Sequence, residues 1–136
     1  MPIKAGGEDV QECQQDLFCG VNMAESANPA EMSDLEKKHV PVITAPDSVK
    51  KGECFTVKVE VGKHLDHPNE AGHYINFIEL YADHTYLGRT HFTHSKACPT
   101  VTFTVQLDHV HKELRAFEFC NKHGTWEADK ALSVQE

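Results

Sequence analysis

Apolar and polar residues alternate one by one through much of this chain from residue 39 onward. In "CFTVKVEVG" Phe55, Val57, Val59 and Val61 fall on one side, and Thr56, Lys58 and Glu60 on the other. "TVTFTVQLD" repeats the pattern with Val101, Phe103, Val105 and Leu107. A period of two puts alternate side chains on opposite faces of a sheet, so each stretch predicts a strand with one wet face. "YINFIELYAD" (74–83), "TYLGRTHF" (85–92) and "ELRAFEFC" (113–120) are rich in the aromatic and branched residues that strands favour, and "VPVITA" (40–45) predicts a shorter one. Turn-forming clusters separate them: "KKGE" (50–53), "DHPNEAG" (66–72), "ADH" (82–84) and "SKACP" (95–99). The pattern predicts an all-β protein, an immunoglobulin-like β-sandwich of about seven antiparallel strands.

Residues 1–33 break this pattern. They are polar, rich in small residues and weakly periodic, and they read as a short irregular or partly helical N-terminal extension to a sandwich domain at 34–136. "NPAEMSDLEKK" predicts one or two helical turns before His39, starting near Asn28 with Pro29 in the first position. Cys13 and Cys19 form one wide pair, whereas a zinc or iron knuckle needs two close ones.

Composition narrows the function classes. A chain of 136 residues holds one domain with a real core. Net charge is -8, from 13 basic and 21 acidic residues, which argues against a nucleic-acid-binding face. It leaves room for a local positive spot, because distant charges are screened. No apolar run approaches the roughly 20 residues of a membrane span, and the N-terminus lacks the apolar centre of a secretory signal. Five cysteines are an odd number and too sparse for a disulfide scaffold, so a reducing, cytoplasmic setting is expected.

Ten histidines are the unusual figure, and histidine is the commonest transition-metal ligand. Three groups stand at predicted strand edges or loops: His39 in "KKHVP", His67 and His73 in "DHPNEAGHYI", and Cys120 with His123 in "CNKHG". A thiolate leaving a strand and an imidazole three positions later can turn back onto one ion, and Gly124 permits the sharp turn. A Cys-x-x-His pair alone is more often a coincidence of spacing than a metal site; the weight lies in five ligand-type residues from three segments. His64 is the nearest competitor, beside the second group. His84, His91, His94, His109 and His111 read as surface residues, Cys54 and Cys98 as small core or surface thiols, and Trp126 as a core or lid residue.

The ordered set "KHVP" (38–41), "HPNEAGHYINFIEL" (67–80) and "CNKHGTW" (120–126) resembles the superoxide reductases, the family of neelaredoxin and of the iron centre II domain of desulfoferrodoxin. The resemblance covers roughly residues 36–128. It implies an immunoglobulin-like sandwich holding one mononuclear non-haem iron per chain. Carried over by motif, His39, His67, His73 and His123 would be equatorial imidazole ligands, Cys120 the axial thiolate, and Lys38 the cation beside an open sixth position. The implied reaction is one-electron reduction of superoxide to hydrogen peroxide, with a rubredoxin-like electron donor resetting the iron in a homotetramer or homodimer. One departure stands out. The family's usual Glu-Lys-His-Val-Pro has Lys37 at the glutamate position here, with Glu36 one place earlier, so the glutamate's role at the iron is expected to be missing or altered. The competing class is a β-sandwich electron carrier with no substrate, as blue-copper sites also combine histidines with one cysteine.

Overall fold

The computed structural model describes residues 16–136. Its strands run in the order β1 (Val21–Asn22), β2 (Pro41–Thr44), β3 (Ser48–Lys50), β4 (Cys54–Val61), β5 (Ile75–Ala82), β6 (Thr85–His91), β7 (Thr100–Gln106), β8 (Glu113–Cys120), β9 (Gly124–Ala131) and β10 (Ser133–Gln135). A three-stranded sheet, β2-β4-β7, and a five-stranded sheet, β1-β9-β8-β5-β6, form the sandwich. Seven strands of these two sheets, β2 and β4 to β9, pair antiparallel. Short parallel additions flank them: β1 on β9, and β10 on β3.

The predicted alternation sets the core. Val57, Val59 and Val61 of β4 are buried, while Lys58 and Thr56 face water. They meet Ile78 and Leu80 of β5 and Leu114 of β8, all fully buried. Each such side chain contributes about 1.5–3 kcal/mol by leaving water. β8 carries the phase that matters for chemistry: Leu114, Ala116, Glu118 and Cys120 point inward, and Phe117 and Phe119 outward. Phe119 is covered on that outer side by Phe77, stacked at 5.8 Å, and by Phe18, edge-on at 6.2 Å.

The helical region before His39 divides in two. Asn28 caps a 3-10 helix at Pro29–Glu31, as its sequence predicts. A separate helix α1 (Asp34–His39) then starts from its own cap, Ser33. Cys13 lies outside the described residues. Cys19 is disulfide-bonded, while Cys54, Cys98 and Cys120 are free thiols. No helix among the described residues is long and apolar enough to cross a membrane.

Candidate metal centre

Three segments bring the ligand-type residues to one end of the sandwich. His39 is the last residue of α1, which stops because Val40 is extended ahead of Pro41. Ser33 and Glu36 form a capping box at its start: Glu36 N–H donates to Ser33 Oγ at 3.1 Å, and Ser33 N–H to Glu36 Oε1 at 2.8 Å. Glu36 Oε2 also accepts from Glu25 N–H at 3.1 Å. One oxygen of Glu36 thus serves the helix start and the other the chain at Glu25, and the Ser33 backbone N–H leads in holding this carboxyl below its usual range.

His67 and His73 come from the loop between β4 and β5, closed by a reciprocal backbone pair of Glu70 and His73 at 3.0 and 3.1 Å. Cys120 ends β8 and pairs with Gly124 at the start of β9, so His123 sits inside the tight turn between them. Asn121 stitches that turn to the His73 loop. Its Oδ1 accepts from Tyr74 N–H at 2.8 Å and its Nδ2 donates to Gly72 O at 2.9 Å.

The four imidazoles close a ring. Centroids lie 4.7 Å apart for His39 and His67, 4.8 Å for His67 and His73, 4.9 Å for His73 and His123, and 4.8 Å for His123 and His39. Adjacent planes are tilted by 62–85°. Donor atoms of His39, His67, His73 and Cys120 all lie within 4.8 Å of one another, a group that could hold a metal ion. Cys120 Sγ is 3.4 Å from His67 Nε2 and 3.8 Å from His123 Nδ1.

Hydrogen bonds outside the ring decide which nitrogens face inward. His39 Nδ1 lies 2.7 Å from Leu35 O, and His67 Nδ1 2.6 Å from Pro68 O. A carbonyl only accepts, so Nδ1 carries the proton in both and Nε2 presents a lone pair, the arrangement a metal-binding histidine uses. These two Nε2 atoms stand 3.2 Å apart, and His73 Nε2 is buried without a hydrogen-bond partner. A cation within the ring would satisfy all three. Soft sulfur with imidazole suits a transition metal and excludes magnesium and calcium.

Burial pushes the pKa of His39 and of His67 down to about 4; burial likewise lowers His73 and His123. The rings are therefore neutral and ready to ligate near neutral pH. Burial pushes the Cys120 thiol up, while backbone N–H groups of Lys122 and His123 partly offset this by donating to sulfur. Asn121 N–H, also a candidate donor, goes instead to Tyr74 O at 3.3 Å. Metal binding displaces the thiol proton, so it strengthens as pH rises.

A pH dependence follows for the metal-free protein. Below about pH 6.5 the unfolded chain protonates its histidines, but folded His39 stays neutral until about pH 4. The unfolded state then holds more protons, so folded stability is lost as pH falls through this window. His39 is only 1% exposed, and its share is about 3 kcal/mol. Denaturant midpoints should fall between pH 7 and 4, and fall less in His39→Gln; equal losses in both proteins would refute His39's part.

The remaining candidates lie elsewhere. His64 lines a separate groove with Met23, Met32 and Val42. His94 packs on Tyr74 and His91 on Phe77, while His84 and His111 flank Arg115. Trp126 forms a wall of the centre: its ring stacks on His39 at 5.2 Å, and its Nε1 donates to His123 O at 3.1 Å. Glu118, inward-facing two residues before Cys120, is fully buried with neither oxygen bonded, and burial raises its pKa well above the carboxylate range. Neither Asn121 nor Glu118 was marked by sequence spacing.

Comparison with known proteins gives a consistent set. The family model described as desulfoferrodoxin matches residues 31–129. A relative from Methanocaldococcus jannaschii is 38% identical over 121 residues, covering 87% of this chain and 97% of its own. The superoxide reductase of Pyrococcus furiosus is 36% identical over 114 residues, with 71% of this chain and 89% of its own covered. Among solved structures, the superoxide reductase (neelaredoxin) of Ignicoccus hospitalis superposes with a TM-score of 0.72 at 34% identity, covering 97% of this chain and 100% of that one.

Proposed function

The chain belongs to the desulfoferrodoxin family, and from that premise we propose that it is a superoxide reductase, converting superoxide to hydrogen peroxide at a mononuclear iron. The observation that carries this reading is the closed ring of four imidazoles with a thiol against it. Zinc normally takes four ligands in a tetrahedron, so five converging donors favour a redox metal. Ferrous iron bound there would supply the one electron that superoxide accepts.

The residues have distinct tasks. His39, His67, His73 and His123 would hold the iron through their ring nitrogens. Cys120 would hold it through sulfur, and a thiolate there would supply electron density to the metal, as cysteine does in thiolate-ligated haem enzymes. The Leu35 and Pro68 carbonyls hold two of the rings in the required tautomer. Lys38 precedes His39, and its charge acts on His67, His73 and His123. Its ammonium draws in the anion and orients the water that gives the first proton. At ~4 Å and an effective dielectric of 20, one such pair is worth about 4 kcal/mol before desolvation. One electron and two protons turn each superoxide into one hydrogen peroxide. An external carrier, rubredoxin-like by family analogy, restores the electron, and the family points to a homotetramer or homodimer.

The test pairs elemental analysis with a superoxide pulse. The iron-loaded, reduced protein should consume one superoxide per iron, release peroxide and no oxygen, and change colour stoichiometrically. Iron-replete protein that keeps its spectrum through the pulse would be an electron carrier instead.

A further inference from the structure

We propose that Lys122 is a second anion guide at this centre, placed on the edge of the imidazole ring formed by His73 and His123. The proposal rests on the reductase reading and adds a residue to it. Lys122 occupies the turn between Cys120 and His123, and its side chain is exposed. Asn121, immediately before it, bonds to Gly72 O and Tyr74 N–H, the two residues flanking His73. The turn is thereby held against the His73 loop, and the Lys122 backbone N–H is directed at the sulfur. Lys122 is therefore fixed at its root, next to His123 and against the His73 loop.

The electrostatics agree with that placement. Positive charge on Lys122 acts against protonation of both His73 and His123, and in each case more strongly than Lys38 does. Lys38, in contrast, is the lysine that acts on His67. Among the described residues no ion pair ties either lysine to a carboxylate. The Glu70 carboxylate opposes the two lysines at His73, whereas at His123 Lys122 and Lys38 are the charged side chains that act, so in a chain of net charge -8 the local attractive field is centred on the His123 side of the rim. Such a field acts within the roughly 8–10 Å that salt leaves unscreened, and it raises the arrival rate of small anions.

The experiment uses iron-loaded Lys122→Gln and Lys122→Glu with wild type and Lys38→Gln alongside. At low ionic strength the Gln variant should react with superoxide roughly two- to threefold more slowly and the Glu variant roughly five- to tenfold. Both differences should shrink at high salt. Azide binding to the oxidised protein should weaken in the same order, while nitric oxide, a neutral probe, should bind the reduced protein equally in all. Unchanged superoxide rates and azide affinities would overturn the proposal. So would an equal loss of nitric oxide binding, which would mark a distorted site. The azide comparison needs no superoxide reaction, so failure of the reductase reading would be seen separately, in wild type.

Discussion

Cys120→Ser should abolish the thiolate-to-iron absorption band of the iron-loaded protein and slow superoxide reduction at least tenfold. The reason lies in the donor's chemistry rather than in packing. Serine nearly matches cysteine in size, and position 120 is fully buried, so the sandwich should form and the four imidazoles remain in place. Two backbone N–H groups, from Lys122 and His123, would still point at the substituted atom. A hydroxyl, however, is a harder donor that keeps its proton near neutral pH. It cannot push charge onto the metal as thiolate does. Iron content measured on the same sample separates loss of the ligand from loss of the metal. A visible spectrum unchanged in the serine variant would remove Cys120 from the coordination sphere.

Gly124→Ala should cost several kcal/mol of stability and loosen the centre with it. Gly124 has φ of +84°, a left-handed conformation that side chains rarely adopt, and a Cβ there would come 2.2 Å from the carbonyl oxygen of Leu17. The segment from Leu17 to Asn22 runs across this turn. Asn22 Nδ2 donates both to Leu17 O and to Thr125 O at 2.9 Å, and β1 pairs with β9 beside it. Gly52 supplies the control: its φ is +79°, but a Cβ there meets nothing within 4 Å. Gly52→Ala should therefore show the backbone cost alone, about 1 kcal/mol. Gly124→Ala should show that cost plus displacement of the overlying segment, roughly 3 kcal/mol or more in total, by denaturant midpoint. Equal losses at the two glycines would mean the segment yields freely. Iron affinity should drop only in the Gly124 variant, because His123 precedes it.

The two best-predicted strands, β4 and β7, are those whose apolar residues alternate without interruption, and they pair with each other from Cys54 to Glu60 along all of β7. β9 was not legible. "GTWEADKA" has no apolar alternation and is rich in residues that strands disfavour. It is a strand because β8 pairs with all eight of its residues, a tertiary cause invisible in the local pattern. β8 was legible as a strand, but its aromatic content does not reveal that Phe117 and Phe119 face outward while Glu118 faces the core. The ligand-type residues stood out because motifs place them at strand ends and loops, and the structure brings all five to one cluster. What spacing could not reveal were the supports: two carbonyls, the Asn121 stitch and the capping box. That box is written in the sequence as Ser33 and Glu36, three apart, but the predicted helical turns start near Asn28, which passes over the second start.

The molecule's lone indole lies face to face with the ring of His39. Light emitted by that indole comes from one place only, a few ångströms from the centre. A metal entering or leaving the centre should therefore change the protein's intrinsic fluorescence, which would give a gauge of occupancy without any added dye.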